Sequence, residues 1–385
     1  MTTKIPFILC ADDYGLAPGV GRAIRDLIER GRLSATSCMT AGPFWPEEAR
    51  LLKPLADRAD IGLHFTLTDQ APAGAMPRLA PDGRLPPIGR LMALAYAGGL
   101  DRNEIAAEFD RQLDNFVQAF GKEPDFIDGH QHVHLLPTVR AVVAAGLARL
   151  PGAYVRSCAE PALSAWRRGV AAPKALLLSA MAAGAAPAGV RRNRGFRGAY
   201  DLSGQIPFGD LMEKFLSPPQ AGMLTMVHPG VADDALRRLD PVVEQREREY
   251  AYLAGPAFRD LLDRLNLTPH SAHFSMSSAA TRLRRADASA PRRLSPCSPS
   301  SFSPGFGPSF WRPIVCTRLT QRQPNHANST TTISNKIFVS MNQVCKRKRH
   351  AGATAAVRPP RLCACFPPHP ATYFLQRPYW GKRPP

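Results

Sequence analysis

Short apolar runs of strand length alternate with amphipathic helical stretches along the first 265 residues, and that alternation points the chain to parallel β/α architecture. Pro6–Ala11 is a buried-strand run, followed by a helical pattern over Pro18–Arg30, with Val20, Ile24, Leu27 and Ile28 at helical spacing. Ala35–Thr40 and Ile61–Leu67 read as strands around a helix at Pro46–Arg58. Thr68–Pro87, rich in Pro, Gly and Ala, reads as a long loop of the kind that is functional or mobile. A strong amphipathic helix follows at Asp101–Phe120, through Ile105, Phe109, Leu113, Phe116 and Val117. Asp125–His134 is the next strand region, Thr138–Leu150 a helix, and Ala153–Arg156 a short strand. Ala162–Ala186 reads as helix broken by prolines, Asn193–Gln205 as loop, and Phe208–Phe215 as a short helix. Met223–Val227 is a late strand, and Pro241–Leu265 one long helix closing the body. An irregular parallel β/α barrel of the TIM-like kind needs about 250 residues, close to what this body supplies. A doubly wound sheet is the alternative.

The charge divides at the same place as the pattern. The whole chain carries 49 Lys+Arg against 31 Asp+Glu, but 18 of those bases and one acid, Asp287, lie beyond residue 280. The body is therefore nearly neutral, which excludes a uniformly basic nucleic-acid or membrane binder. Residues 1–270 read as one domain, and residues 271–385 as a low-complexity basic tail, expected to be disordered. Five of eight cysteines fall in that tail, and Cys10, Cys38 and Cys158 in the body are too scattered for a disulfide framework. No apolar stretch approaches the roughly 18 residues of a membrane span, and the N-terminus lacks a signal-peptide pattern. The body reads as cytoplasmic.

Chemistry collects at the strand ends. Pro6–Ala11 runs into Asp12-Asp13-Tyr14-Gly15, Ile61–Leu63 into His64, Phe126-Ile127 into Asp128-Gly129-His130-Gln131-His132-Val133-His134, and Met223–Val227 into His228-Pro229-Gly230. No other histidine occurs before His270. In parallel β/α folds the C-terminal strand ends converge on one face, where ligands and catalytic groups gather. His130, His132 and His134 alternate, so an extended chain would set them on one face. Imidazoles with a carboxylate form a two-His, one-carboxylate ligand set for a divalent cation, with open positions for water and substrate. One aspartate of an adjacent pair binds the cation while its neighbour stays free as a base.

These four segments, in this order, resemble the YdjC-like carbohydrate deacetylases, a family that includes chitooligosaccharide deacetylases and hopanoid-associated members. The resemblance covers roughly residues 4–268, including the late segment Asp233-Asp234, Leu239-Asp240-Pro241 and Arg246-Glu247. Tyr14 stands where many members have Phe. The resemblance implies removal of an N-acetyl group from an amino sugar, chitooligosaccharide-like or glycolipid-linked, with release of acetate. It implies Asp13, His64 and His130 as metal ligands and Asp12 as general base. His228 is the expected proton donor to the leaving amine, with His132 or His134 as alternatives. His132, His134 and Arg156 are the expected substrate contacts, although Arg156 at the end of Tyr154-Val155 reads slightly better as a surface arginine. The family is described with magnesium, while two imidazoles suit zinc or another transition metal on ligand softness. The partner expected is a small carbohydrate or glycolipid, with a homodimer left open and nucleic acid not expected. The rival functions are a metal-dependent glycoside or phosphoester hydrolase on the same barrel, and a nucleic-acid binder using the tail cluster Lys346-Arg347-Lys348-Arg349.

Overall fold

A computed structural model of the chain describes residues 3–166, 172–183 and 190–271. Everything expected of the tail, from its disorder to its basic cluster, lies outside the described residues, as do parts of the proline-broken stretch 162–186. Eight parallel strands form one curled sheet in the order β5-β4-β3-β2-β1-β7-β6, with β8 laid against the start of β1. The strands are β1 (Ile5–Tyr14), β2 (Ala35–Cys38), β3 (Asp60–Phe65), β4 (Phe126–Gly129), β5 (Tyr154–Val155), β6 (Phe196–Arg197), β7 (Leu224–Val227) and β8 (Leu267–Pro269). Helices cross between them: α1 (Pro18–Glu29), α2 (Trp45–Leu52), α3 (Ile88–Tyr96), α4 (Arg102–Phe120), α5 (Val139–Leu147), α6 (Ala162–Trp166), α7 (Ala172–Ala183), α8 (Phe208–Leu216), α9 (Asp234–Leu239), α10 (Glu244–Ala254) and α11 (Pro256–Arg264). This is the irregular parallel β/α barrel expected from the alternation. Its seam lies between β5 and β6, spanned by a parallel bridge from Val155 to Arg192 and by Asn193, whose side chain bonds both backbone groups of Ser157.

The sheet buries both faces, so its strands read as continuous apolar runs. Phe7 and Leu9 of β1 pack under the helices with Val20, Ile24 and Leu27 of α1. Ile8 and Cys10 point the other way, into a second cluster with Phe126, Tyr154, Leu224 and Met226. Gly62 permits this inner packing, because a Cβ there would stand 2.5 Å from the Phe126 ring.

Several boundaries differ from expectation. Asp125–His134 is not extended throughout: β4 ends at Gly129 and a 3-10 turn spans His130–Leu135, with Gln131 and His132 at φ of 51° and 63°. The terminal helix is two helices, broken where Gly255 meets Pro256, whose ring cannot continue the backbone ladder. The sequence pattern also missed α3, β6 and β8, short elements with little period to detect. The long loop lacks helix or strand but is tied down by α4. Glu104 accepts from the backbone of Arg78 and Leu79, Glu108 from Ala73, and Gln112 bonds both backbone groups of Thr66. Asp101 caps that helix, accepting from the backbone N–H of Asn103 and Glu104. No helix among the described residues is long and apolar enough to cross a membrane.

Candidate active site

The parallel register brings the acid and histidine clusters to one level. His64 lies beside Asp128 across β3 and β4, and Ala11 lies beside Val227 across β1 and β7, so Asp12 and His228 leave neighbouring strand ends. Consecutive residues of a regular strand face opposite ways, so Asp12 and Asp13 would be separated by the sheet. A register shift between Ala11 and Tyr14, with Asp13 at φ 66°, turns both into the same cavity. A non-glycine residue in the left-handed region costs about 1–3 kcal/mol and persists where surrounding structure imposes it. Gly15 follows at φ 89°, with Met39 O only 2.7 Å from where a Cβ would stand.

Asp13 Oδ1 lies 2.9 Å from His130 Nδ1 and 3.2 Å from His64 Nε2. The three donor atoms sit within 4.8 Å of one another. His64 Nε2 is buried and makes no properly directed hydrogen bond, while its Nδ1 lies 2.6 Å from Asp128 Oδ1. A carboxylate on the far nitrogen of an imidazole is the usual support behind a metal-ligating histidine. The donor set and the open nitrogen therefore fit a divalent cation. Asp12, His64 and Asp128 form a second close group, but the Arg156 guanidinium already lies against both of its carboxylates.

Arg156 corrects the surface reading. It is 1% exposed, and its two Nη atoms each lie 2.6 Å from one oxygen of Asp12. The same guanidinium lies 2.6 Å from Asp128 Oδ2. It stands behind the cavity wall with His134, and neither lines the cavity. His132 does line it, so the three histidines do not share a face. The left-handed turn at Gln131 and His132 sends His130 and His132 to the cavity and His134 back toward Arg156 O, 3.2 Å away. Burial and nearby positive charge hold His132 well below the usual histidine range, and burial takes His134 down to about 4.

His228 also lines the cavity, and burial lowers it to about 4 despite Asp13 and Asp12 nearby. Behind it stands Glu249, fully buried, accepting from the His228 backbone N–H and the Tyr200 hydroxyl. Burial pushes Glu249 up to about 7, above its ordinary 4.5. The folded chain therefore holds this proton more tightly than the unfolded chain. The stability it contributes is full below about pH 4.5 and is lost as pH rises through about 7, a loss of about 3 kcal/mol. Glu249→Gln should therefore gain that much stability relative to the unsubstituted chain between pH 5 and 8, read from urea unfolding at both pH values. An unchanged difference would refute the assignment.

Asp128, Arg246 and Glu249 escaped the sequence reading as members of the site. Asp128 stood in the open, two residues before His130, and Arg246 lay in the late matching segment. A family model described as YdjC-like protein matches residues 6–264. The chain belongs to the YdjC-like family. A chitooligosaccharide deacetylase of Enterobacter sp. (strain 638) is 37% identical over 143 residues, covering 37% of this chain and 55% of that protein. Another, of Yersinia pestis (strain Pestoides F), is 39% identical over 140 residues, covering 36% and 54%. The chain thus spans about half the length of the curated relatives it matches. A solved structure from Enterococcus faecalis V583, provisionally named for cellobiose-phosphate cleavage, superposes with a TM-score of 0.54 at 20% identity. It covers 71% of this chain and 99% of that one, so the barrel is the fold of this YdjC-like chain.

Proposed function

We propose that this YdjC-like chain is a metal-dependent hydrolase that removes the N-acetyl group from an N-acetylated amino sugar. The observation that carries the reading is the convergence of Asp13, His64 and His130 beside Asp12 in a cavity of about 530 Å³. Asp13, His64 and His130 would hold the cation, which when bound would supply Lewis-acid polarisation of the acetamide carbonyl and acidify water. Magnesium is the family's usual metal, and the two imidazoles favour a transition metal. Asp12, its carboxylate fixed by Arg156, accepts the proton of the attacking water. His228, neutral at rest, receives that proton from Asp12 and passes it to the sugar nitrogen as the bond to the acetyl carbon breaks. The products are acetate and the free amine.

The rival hydrolases fare less well. A glycosidase needs a free pair of carboxyl groups. Here Asp128 is held by Arg156 outside the cavity lining and Asp13 belongs to the cation ligands, which leaves Asp12 without a partner carboxyl.

The cavity lining favours a sugar with an aliphatic group attached over a plain chitooligosaccharide. Away from the acid–histidine end its wall includes Ile88 and Met92 of α3, Leu178 and Met181 of α7, Leu202 and Val242 beside the polar Asp69, Gln70, Arg84, Gln131 and Lys174, and among the described residues no Phe, Tyr or Trp lines it. Aliphatic walls reward buried CH₂ groups, each about 0.8 kcal/mol.

Asp13→Ala, His64→Ala and His130→Ala should each lose the bound cation, measured by elemental analysis, and lose acetate release from N-acetylglucosamine oligomers and alkyl N-acetylglucosaminides. Unchanged metal content in all three variants would overturn the ligand assignment.

A further inference from the structure

Arg246 of α10 is buried, 2% exposed, and borders the cavity. Its Nη2 donates to Asp13 Oδ2 at 2.6 Å, and the same atom bonds Asp240 Oδ2. Its Nε donates to Val242 O at 3.1 Å, so the guanidinium is fixed from three sides. Its backbone carbonyl accepts from Gly230 N–H, which ties α10 to the loop that carries His228. Asp13 is thereby divided: Oδ1 faces the two imidazoles, and Oδ2 faces Arg246. A carboxylate with both oxygens free can take a cation with one or with two of them.

We infer that Arg246 is a positioning residue that restricts Asp13 to one ligating oxygen and so keeps a coordination position open for water and substrate. The inference rests on the metal-dependent reading above. Two physical effects follow from it. The guanidinium charge opposes a nearby divalent cation, so the site binds its metal less tightly than its ligands alone would allow. The occupied Oδ2 prevents the carboxylate from turning to a two-oxygen mode. Removing Arg246 relieves both effects at once, whereas loss of a merely structural contact would loosen the site and weaken uptake.

The test uses the full chain with Co²⁺ as the probe. Arg246→Gln should bind Co²⁺ about tenfold more tightly or better. Its visible absorption should change with the added ligand oxygen, and its acetate release should fall. Arg246→Lys, which restores the charge, should bring the affinity back toward that of the unsubstituted chain. Unchanged or weaker Co²⁺ binding by a folded Arg246→Gln, with an unchanged spectrum, would overturn the inference. Where Arg246→Gln fails to fold, Asp240→Asn takes its place: it removes an anion that offsets the guanidinium and leaves Asp13 Oδ2 held, so Co²⁺ should bind more weakly with an unchanged spectrum, and equal or tighter binding or a changed spectrum would overturn the inference. An unsubstituted chain that takes up no Co²⁺ removes the metal reading and this inference with it, a result distinct from equal binding by both proteins.

Discussion

Asp12→Asn should keep its cation and lose acetate release by ~10²–10⁴-fold, the range that a positioned general base contributes. The substitution is nearly isosteric and removes proton affinity where the reaction uses it. Arg156 would retain Asp128 as an anionic partner, so the fold should survive. The two readouts separate three roles. Loss of turnover with full metal content supports the base. Loss of both would move Asp12 into the ligand set, where its proximity to His64 and Asp128 gives it an alternative place. Full turnover would exclude it from the chemistry.

Arg156→Met is expected to destabilise the chain by about 3–5 kcal/mol, because it leaves buried carboxylates without their counter-charge. That is a large share of an ordinary domain's stability. Both Asp12 and Asp128 lie against the lost guanidinium, at 2% and 0% exposure. The measurement is urea unfolding at neutral pH. Adding Asp128→Asn should recover part of the loss, since one uncompensated charge is removed with it. A single variant within about 0.5 kcal/mol of the unsubstituted chain, the range of ordinary surface changes, would show that the pair is not held as described.

The arginine illustrates what a sequence hides. Its partner Asp12 lies 144 residues away, and nothing local distinguishes it from a solvated side chain. The strand ends were readable because apolar runs stop abruptly at Asp12, His64, Asp128 and His228. The histidine alternation misled for a conformational reason. Gln131 and His132 take left-handed backbone angles without a glycine to announce them, and that turn redirects His134. Two- and three-residue strands such as β6 and β8 exist through pairing with neighbours, so their own residues carry too little pattern to find. Gly255-Pro256 did carry a readable break, one that the helical period on either side outweighed.

The anchored loop ahead of α3 has a consequence for recognition. Glu104, Glu108 and Gln112 satisfy its backbone before any ligand arrives, so Ile88 and Met92 stand in place in the unliganded protein. The conformational entropy of that wall is spent during folding, and association need not freeze it again. Selectivity on this side then comes from rigid shape, and congeners that differ by one methylene should be sorted mainly by their rates of departure.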